Sequence, residues 1–338
     1  MNEEKKIHLD SGEIASLWTA YVNDSMSVRI LQFMIQHTQD PDISPAIQHA
    51  LDISEGHLKQ LTAIFEAEEY AIPNGFTSKD VHLDAPWLFS DTFCLTYVSH
   101  MAKVGMLSYS GLLSMSTKPS IRDYFTTCLN QTASLYNQTV EIATHKGVNP
   151  RIPYIEIPKK ADYINSKEYY SGLNPFSDKR PLNAIEISHL YMNALSNYVG
   201  MKLCLAFAQT SPNKKVQDFL LRSKEISKKH SKIFNSLLSD NNIATPQLPD
   251  VAVSSSTTET FSDKMIMFHM SLLISAGIGN YATGAAASQR LDLAVNYERL
   301  SLEVAKLAKS GADLMIENHW LEQPPGTKNK EQLARNKK

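Results

Sequence analysis

Several features that would assign a function directly are missing from this sequence. It has only three cysteines in 338 residues, Cys94, Cys128 and Cys204, and none of them forms a C-x-x-C pair. Because all three lie in apolar helical context, we expect buried thiols and no disulfide framework. Neither a glycine-rich phosphate loop nor a nucleophile elbow occurs. No enzyme motif therefore stands out.

Excess charge of one sign and long apolar runs are also missing. Lys and Arg number 33 against 35 Asp and Glu, a formal charge of −2. Since no basic stretch is clustered in the folded part, we expect no nucleic acid partner. The opening residues, MNEEKKIHLDSGE, lack the apolar core of a signal peptide, and no uninterrupted apolar stretch reaches transmembrane length. We expect a cytoplasmic protein without a transmembrane segment.

What the sequence does contain is a second copy of itself. Identical residues recur 173 positions later, namely Leu9, Glu13, Ile14, Leu17, Ile53, Ser54, His57 and Pro73 as Leu182, Glu186, Ile187, Leu190, Ile226, Ser227, His230 and Pro246. In one stretch the spacing is 172, where Phe89, Ser90, Asp91, Gly105 and Tyr109 recur as Phe261, Ser262, Asp263, Gly277 and Tyr281. Identities at one phase over about 140 residues indicate two copies of one domain.

Helical periodicity dominates each copy. Apolar residues three or four positions apart line one face of the first helix, namely Ile14, Leu17, Tyr21, Val28, Leu31 and Ile35. Breaks at Asp40-Pro41, before Pro73, at Ser90-Asp91, at Lys118-Pro119-Ser120 and at Lys146-Gly147 divide the first copy into four helices. The second copy follows the same plan, with helices near Ala184–Gln209, Lys214–Asp240, Ser262–Ser288 and Leu291–Glu317. No segment predicts a strand.

One connection in each copy is long. About eighteen irregular residues follow the second helix, and they can span roughly 60 Å, enough to recross a helix of about 40 Å. The sequence therefore predicts an all-α protein of two tandem ferritin-like four-helix bundles, each with one long crossover between its second and third helices. The predicted domains are residues 8–147 and 182–321, with a Pro/Tyr-rich linker over 148–181 and a disordered tail over 322–338. We expect each half to form a separate core, related to the other by a rotation.

The chain resembles a known family in three places. The closing segment MIENHWLEQPP at 315–325, the Phe-Ser-Asp starts of both third helices and the two-copy layout are similar to a ferritin-like family of unknown function, domain of unknown function 3231, found mainly in spore-forming Firmicutes. That family is more distantly similar to spore coat proteins of the coat-F type. The resemblance implies a sporulation or envelope context, with spore or envelope proteins or further copies of the chain as partners, and it implies no reaction.

The ferritin-like fold raises the question of a di-iron site. Such a site needs a Glu from each of two helices and Glu-x-x-His from each of the other two. The second helices read Ser54-Glu-Gly-His57 and Ser227-Lys-Lys-His230, so serine stands where the first glutamate is required. Glu13 and Glu186, in the first turns of their helices, are interpreted as helix-start charges. We expect no di-iron site.

A different constellation emerges when the helices are aligned by their distance from the first hairpin turn. Asp24, His57 and His100 fall at one height of the first bundle, with Tyr136 at the same level. One Asp and two His could ligate a single divalent metal, Fe, Zn or Mn, with water completing the shell. The alternative is a structural polar layer, in which a hydrogen bond between Asp24 and His57 satisfies two buried groups.

The equivalent polar layer of the second bundle is Asn197 and His230, with Leu272 in place of the second imidazole. Because this second layer lacks both an acid and a second histidine, we expect the second bundle to bind no metal. Two hypotheses follow for the whole chain. The first is a non-catalytic structural or interaction protein associated with sporulation or the spore coat, and the second is a metal-binding protein, an oxidoreductase among the options, with one site in the first bundle. Whether the protein is an enzyme is left open.

Three glycines fall inside the predicted third helix of the second copy. Gly277, Gly279 and Gly284 each cost about 1 kcal/mol against alanine in a helix. We expect them to permit close approach of another helix.

Overall fold

A computed structural model describes residues 8–174, 179–246 and 252–335, and these residues are all helical apart from connecting segments. The long helices are α1 (Ser11–His37), α2 (Ser44–Ala67), α3 (Asp91–Ser114), α4 (Pro119–His145), α5 (Ala184–Thr210), α6 (Lys214–Ser239), α7 (Asp263–Ala287) and α8 (Leu291–Glu317). Short 3₁₀ turns occur at Ser78–Asp80 and Lys167–Tyr170, and α9 spans Lys330–Arg335. The predicted fold class is confirmed, with α1–α4 and α5–α8 forming tandem bundles that each carry one long crossover.

Each bundle starts from a buried glutamate. Glu13, only 1% exposed, receives the backbone N–H of Asp10 and those of Thr117 and Lys118 at the start of α4. These backbone donors offset its burial and hold the pKa of Glu13 below its usual value. Glu186 makes the equivalent contacts at the start of α8 and adds an ion pair with Arg180. Both residues join the first and fourth helices of their bundle through capping hydrogen bonds.

The two crossovers pair with each other across the centre of the molecule. Val81 forms an antiparallel bridge with Phe261, and Phe89 forms one with Val253. Val81 and Val253 occupy equivalent repeat positions, as do Phe89 and Phe261, so each bridge is the counterpart of the other. The backbone hydrogen bonds beside these bridges also occur in equivalent pairs. The N–H of His82 donates to the Thr260 carbonyl, and its counterpart is the bond from Ser254 to Leu88. Likewise, the bond from Ser90 to Ala252 has its counterpart in the bond from Ser262 to Asp80. The bundles are thus related by an approximate two-fold rotation.

The third helices meet at the same axis. Tyr97 on α3 and His269 on α7 are also equivalent positions, and Tyr97 Oη lies 3.2 Å from His269 Nε2. Phe33 of α1 packs edge-to-face on Phe261, with ring centroids 5.4 Å apart. The sequence therefore predicts the rotation but not the interface, because contacts between residues of different copies, far apart in the sequence, leave no local periodic signal.

The expectation of two separate cores is wrong. One hydrophobic cluster contains buried residues of both bundles, including Met26, Phe93, Phe207 and Phe261. A smaller cluster around Phe125 occupies one part of the first bundle alone. The cores merge because the crossovers and the third helices bury apolar side chains between the bundles. The domain boundaries proposed from the repeat remain a prediction.

Among the described helices, α7 alone is long and apolar enough by composition to cross a membrane. Its residues Met265, Ile266, Met267 and Met270 are buried in the merged core. A core helix meets the same criteria as a membrane span, so α7 gives weak support for one.

Candidate functional site

A chain of hydrogen bonds crosses the first bundle and takes one side chain from each helix. Asp24 comes from α1, His57 from α2, Tyr109 from α3 and Gln131 from α4. The Tyr109 hydroxyl donates to Asp24 Oδ2 at 3.1 Å, and His57 Nδ1 lies 3.1 Å from Tyr109 Oη and 3.4 Å from Asp24 Oδ1. His57 Nε2 lies 2.9 Å from Gln131 Oε1. Both ring nitrogens of His57 therefore have side-chain partners.

The direction of these hydrogen bonds favours a charged imidazole. Because the Tyr109 proton points to Asp24, the oxygen of Tyr109 is free to accept from His57 Nδ1. Gln131 presents its carbonyl oxygen, so Nε2 also donates. A histidine that donates from both nitrogens is an imidazolium.

The charges around His57 point the same way. Burial by itself disfavours the cation, but the hydrogen bond and charge of Asp24, together with contact to Cys128, outweigh burial and raise the pKa of His57 to about 10. Burial and the charge of Asp24 raise the pKa of Tyr109 well above its usual value, so its hydroxyl remains a donor. The first bundle thus holds a buried imidazolium paired with a buried carboxylate.

The second bundle contains the equivalent chain of hydrogen bonds, but its tyrosine donates to the histidine and not to the side chain from the first helix. The side-chain amide of Asn197 donates from Nδ2 to the Asn193 carbonyl and to Tyr281 Oη, both at 2.8 Å. The Asn193 carbonyl can only accept, which fixes the orientation of this amide. Tyr281 must then donate to His230 Nδ1 at 3.0 Å, and His230 Nε2 donates to Glu303 Oε2 at 3.0 Å. His230 is neutral in this arrangement.

The two hydrogen-bond chains differ because an acid and an amide have exchanged places. Asp24 of the first bundle is replaced by Asn197, and Gln131 is replaced by Glu303. Burial lowers the pKa of His230, and Glu303, which also binds Lys229, offsets this only in part. One duplicated layer therefore holds its histidine charged in the first bundle and neutral in the second.

The predicted layer is assembled only in part. Asp24 and His57 lie together, and so do their counterparts Asn197 and His230, through Tyr281. His100 instead faces the second bundle, where it lines that bundle's cavity, and burial together with Lys103 lowers its pKa to about 4. Asp24 of α1 and His57 of α2, equally far from the hairpin turn, do lie beside each other. Distance from a turn fixes only the height of a side chain along the bundle. It does not determine which way α3 turns its side chains, because α3 forms a wall of both cavities.

Sequence reasoning missed the tyrosine and the fourth member of each chain. Tyr109 and Tyr281 were among the identities of the repeat, but neither was placed in the layer. Gln131 and Glu303 are equivalent and not identical, so a search for identities passes over them. An exchange between an acid and its amide at matched repeat positions is the signal that could have found them. Tyr136, predicted at this level, is not among the residues that line the first-bundle cavity, and the ammonium of Lys103 lies 5.6 Å from its ring centroid.

Each chain borders a cavity that both halves of the molecule line. The first-bundle cavity has a volume of about 330 Å³ and includes Asp24, His57 and Tyr109 in its wall, with Leu272 of α7 on the far side. The second-bundle cavity is about 100 Å³ and has His100 of α3 in its wall. The second is smaller because α5 and α7 pack more closely than α1 and α3.

The residues present do not fit a di-iron centre. Ser54, where such a centre needs a glutamate, is 7% exposed and lines the first cavity with its hydroxyl as its only ligand atom. Within residues 8–174, 179–246 and 252–335, no group of three or more His, Cys, Asp or Glu side chains could hold a metal ion. The structure brings together two of the three predicted ligands, Asp24 and His57.

Comparison with known proteins gives a family match. The model of a family described as a protein of unknown function, DUF3231, matches residues 1–161 and again residues 170–333. The two matches coincide with the two copies seen in the sequence. A search of curated proteins finds no match.

Two solved structures are similar to a single copy. A candidate spore coat protein from Bacillus halodurans C-125 is 18% identical, with a TM-score of 0.38, and the similarity covers 46% of this chain and 98% of that one. A conserved hypothetical protein from Mycobacterium tuberculosis is 12% identical, with a TM-score of 0.35 and the same coverage of both chains.

Proposed function

Because the chain belongs to the family of proteins of unknown function described as DUF3231, we propose a function from the geometry of its two bundles. The protein is a non-catalytic structural or interaction protein of ferritin-like fold, and the polar chains fix the packing of its helices. A buried hydrogen-bonded network that takes one side chain from each helix specifies a single register, since any slip would leave a polar group without a partner.

One observation carries this proposal. Both nitrogens of His57 and both nitrogens of His230 are engaged by neighbouring side chains. A histidine must offer a free nitrogen lone pair to ligate a metal or to accept a proton. Saturation of both histidines supports a structural role over the alternative, a single Fe, Zn or Mn ion bound by Asp24, His57 and His100.

We further propose that the protein acts in a sporulating cell, in the cytoplasm or in the developing spore coat, with spore or envelope proteins or further copies of the chain as partners. The family resemblance supports this setting. Detection of the protein in purified spore coats, by antibody, is the expected result. Its presence only in vegetative cytoplasm would contradict the spore assignment and leave the structural role untouched.

Metal content separates the structural role from the metalloprotein. We expect protein purified without chelator or metal-affinity tag to carry far less than one Fe, Zn or Mn per chain. Added metal should leave the melting temperature of the wild type unchanged, because an ion that binds only the folded state would raise it. Elemental analysis and thermal melts provide these two measurements.

Two matched variants complete the test. His57→Ala should destabilise the protein by roughly 1–3 kcal/mol, since Asp24 and Gln131 lose a buried partner. His230→Ala should act similarly, and neither variant should change metal content. About one ion per chain in the wild type, lost in His57→Ala and kept in His230→Ala, would establish the metalloprotein instead.

A further inference from the structure

The first-bundle cavity is large enough for a small molecule. Its volume of about 330 Å³ lies within the range of roughly 300–1,000 Å³ found for ligand pockets. Most of its wall is apolar, formed by residues such as Met26, Ile53, Val98, Leu135 and Leu272. A ligand in this space must therefore present a mainly apolar body.

The polar part of the wall has unused hydrogen-bond acceptors. Asp24 is 4% exposed, and a carboxylate can accept about four hydrogen bonds. Its contacts with described residues supply at most two protons, one from Tyr109 and one from His57. Asn23, the preceding residue, also lines the cavity, and its buried Oδ1 has no partner among the described residues. Buried acceptors with spare capacity favour a ligand that donates.

Charge narrows the class of donor. The carboxylate of Asp24 repels an anion, and His57 already neutralises that carboxylate. An ammonium group would lose its hydration on entry without gaining an unpaired counter-charge. An uncharged hydroxyl loses less on leaving water and can donate directly to Asp24.

We propose that the first-bundle cavity binds a small, mainly apolar, uncharged molecule whose hydroxyl group donates a hydrogen bond to Asp24. The binding site needs both copies of the repeat, because Leu272 and Ala276 of α7 close the side that α1–α4 leave open. The second bundle has Asn197 at the position of Asp24 and a cavity of about 100 Å³, so it takes no such ligand.

Three probes of equal chain length test the proposal on the full chain by isothermal titration calorimetry. We expect 1-hexanol to bind with a dissociation constant of roughly 1 mM or below. Hexanoate should bind at least about tenfold more weakly, because its carboxylate faces Asp24 without a proton to donate. Hexylammonium should also bind more weakly than 1-hexanol.

Variants place the binding in this cavity. Ser54→Leu fills space beside His57 and should weaken 1-hexanol binding at least about tenfold, whereas Ser227→Leu, its counterpart in the second bundle, should leave binding unchanged. If Ser54→Leu does not fold, Leu272→Trp serves in its place, because Leu272 of α7 is half-buried and lines the same cavity, and this variant should weaken 1-hexanol binding in the same way. Asp24→Asn keeps the shape of the cavity and should remove the preference for 1-hexanol over hexanoate.

Several results would overturn the proposal. If none of the three probes binds in titrations repeated at two temperatures, the proposal is refuted, because a heat of binding that is zero at one temperature is not zero at another. Binding of 1-hexanol that survives both cavity-filling variants would place the alcohol elsewhere. Tighter binding of hexanoate or of hexylammonium would refute the uncharged donor.

Discussion

At the scale of single residues, the same histidine position has opposite chemistry in the two copies. His57 donates to Tyr109, which in turn donates to the Asp24 carboxylate, and the imidazole is protonated. His230 accepts a hydrogen bond from Tyr281 and is neutral. The exchange of Asp24 and Gln131 for Asn197 and Glu303 moves the acid from one end of the chain to the other. Duplication has kept the shape of the layer and changed its charge.

This difference predicts opposite pH dependence for two matched variants. The pKa of His57 is raised to about 10, so its contribution to the free energy of unfolding is complete below about pH 6.5 and is lost as pH rises towards 10. The charged and titratable groups that face it are Asp24, Tyr109, Tyr124 and Cys128. The stability gap between wild type and His57→Gln should therefore narrow from pH 6.5 to pH 10.

For His230 the sign reverses. Its pKa is lowered by burial, so the neutral form stabilises the fold above about pH 6.5, and that contribution is lost as pH falls. The gap between wild type and His230→Gln should narrow from pH 7 to pH 5. Urea unfolding at each pH measures both gaps, and parallel curves for the two variants would contradict the assigned charges.

At the scale of elements, the three glycines of α7 were expected to permit close approach of another helix, and this holds for Gly284 but not for Gly277 or Gly279. A methyl group added at Gly284 would lie 2.8 Å from Cζ of Tyr297 on α8, so this glycine does permit a close approach. A methyl group at Gly277 or Gly279 would meet nothing within 4 Å. Spacing alone cannot distinguish these cases, since the difference depends on which face of α7 meets α8.

The glycines give a matched pair of predictions. Gly284→Ala should destabilise the protein by roughly 1–3 kcal/mol, because Tyr297, 1% exposed, has little room to move. Gly277→Ala should raise stability by up to about 1 kcal/mol through helix propensity. Melting temperatures of the two variants measure the effect, and equal shifts would show that the contact with Tyr297 does not limit residue 284.

At the scale of the whole molecule, the repeat and the helical periodicity predicted the two bundles and their long crossovers. The positions of His57 and His230 on inward-facing helix sides also followed from periodicity, and both are buried. What could not be predicted is the contact between the copies. Val81 with Phe261 and Phe89 with Val253 come together only after both crossovers are in place. Such contacts join residues far apart in sequence and carry no local pattern.

The reciprocal pairing of the crossovers is the geometry of a two-fold symmetric dimer, in which each contact occurs twice. The single chain is therefore organised like a two-fold symmetric dimer, with one bundle in the place of each subunit. In the described part of the connection between the bundles, residues 148–174, Tyr154 and Tyr163 are 79% and 90% exposed, so these two side chains add little buried surface. The merged core, and not the covalent connection, should hold the bundles together.

A chain divided within this segment tests that inference. Residues 1–160 and 161–338, produced together, should co-purify as a one-to-one complex, because the crossovers and the merged core remain intact. Phe261→Ala should weaken the complex strongly, since this fully buried ring packs against Phe33 of the other fragment and loss of such a ring costs roughly 3–5 kcal/mol. Size-exclusion chromatography with light scattering distinguishes the outcomes. Two halves that elute separately as folded monomers would show that each bundle is self-sufficient and that the linker alone keeps them adjacent.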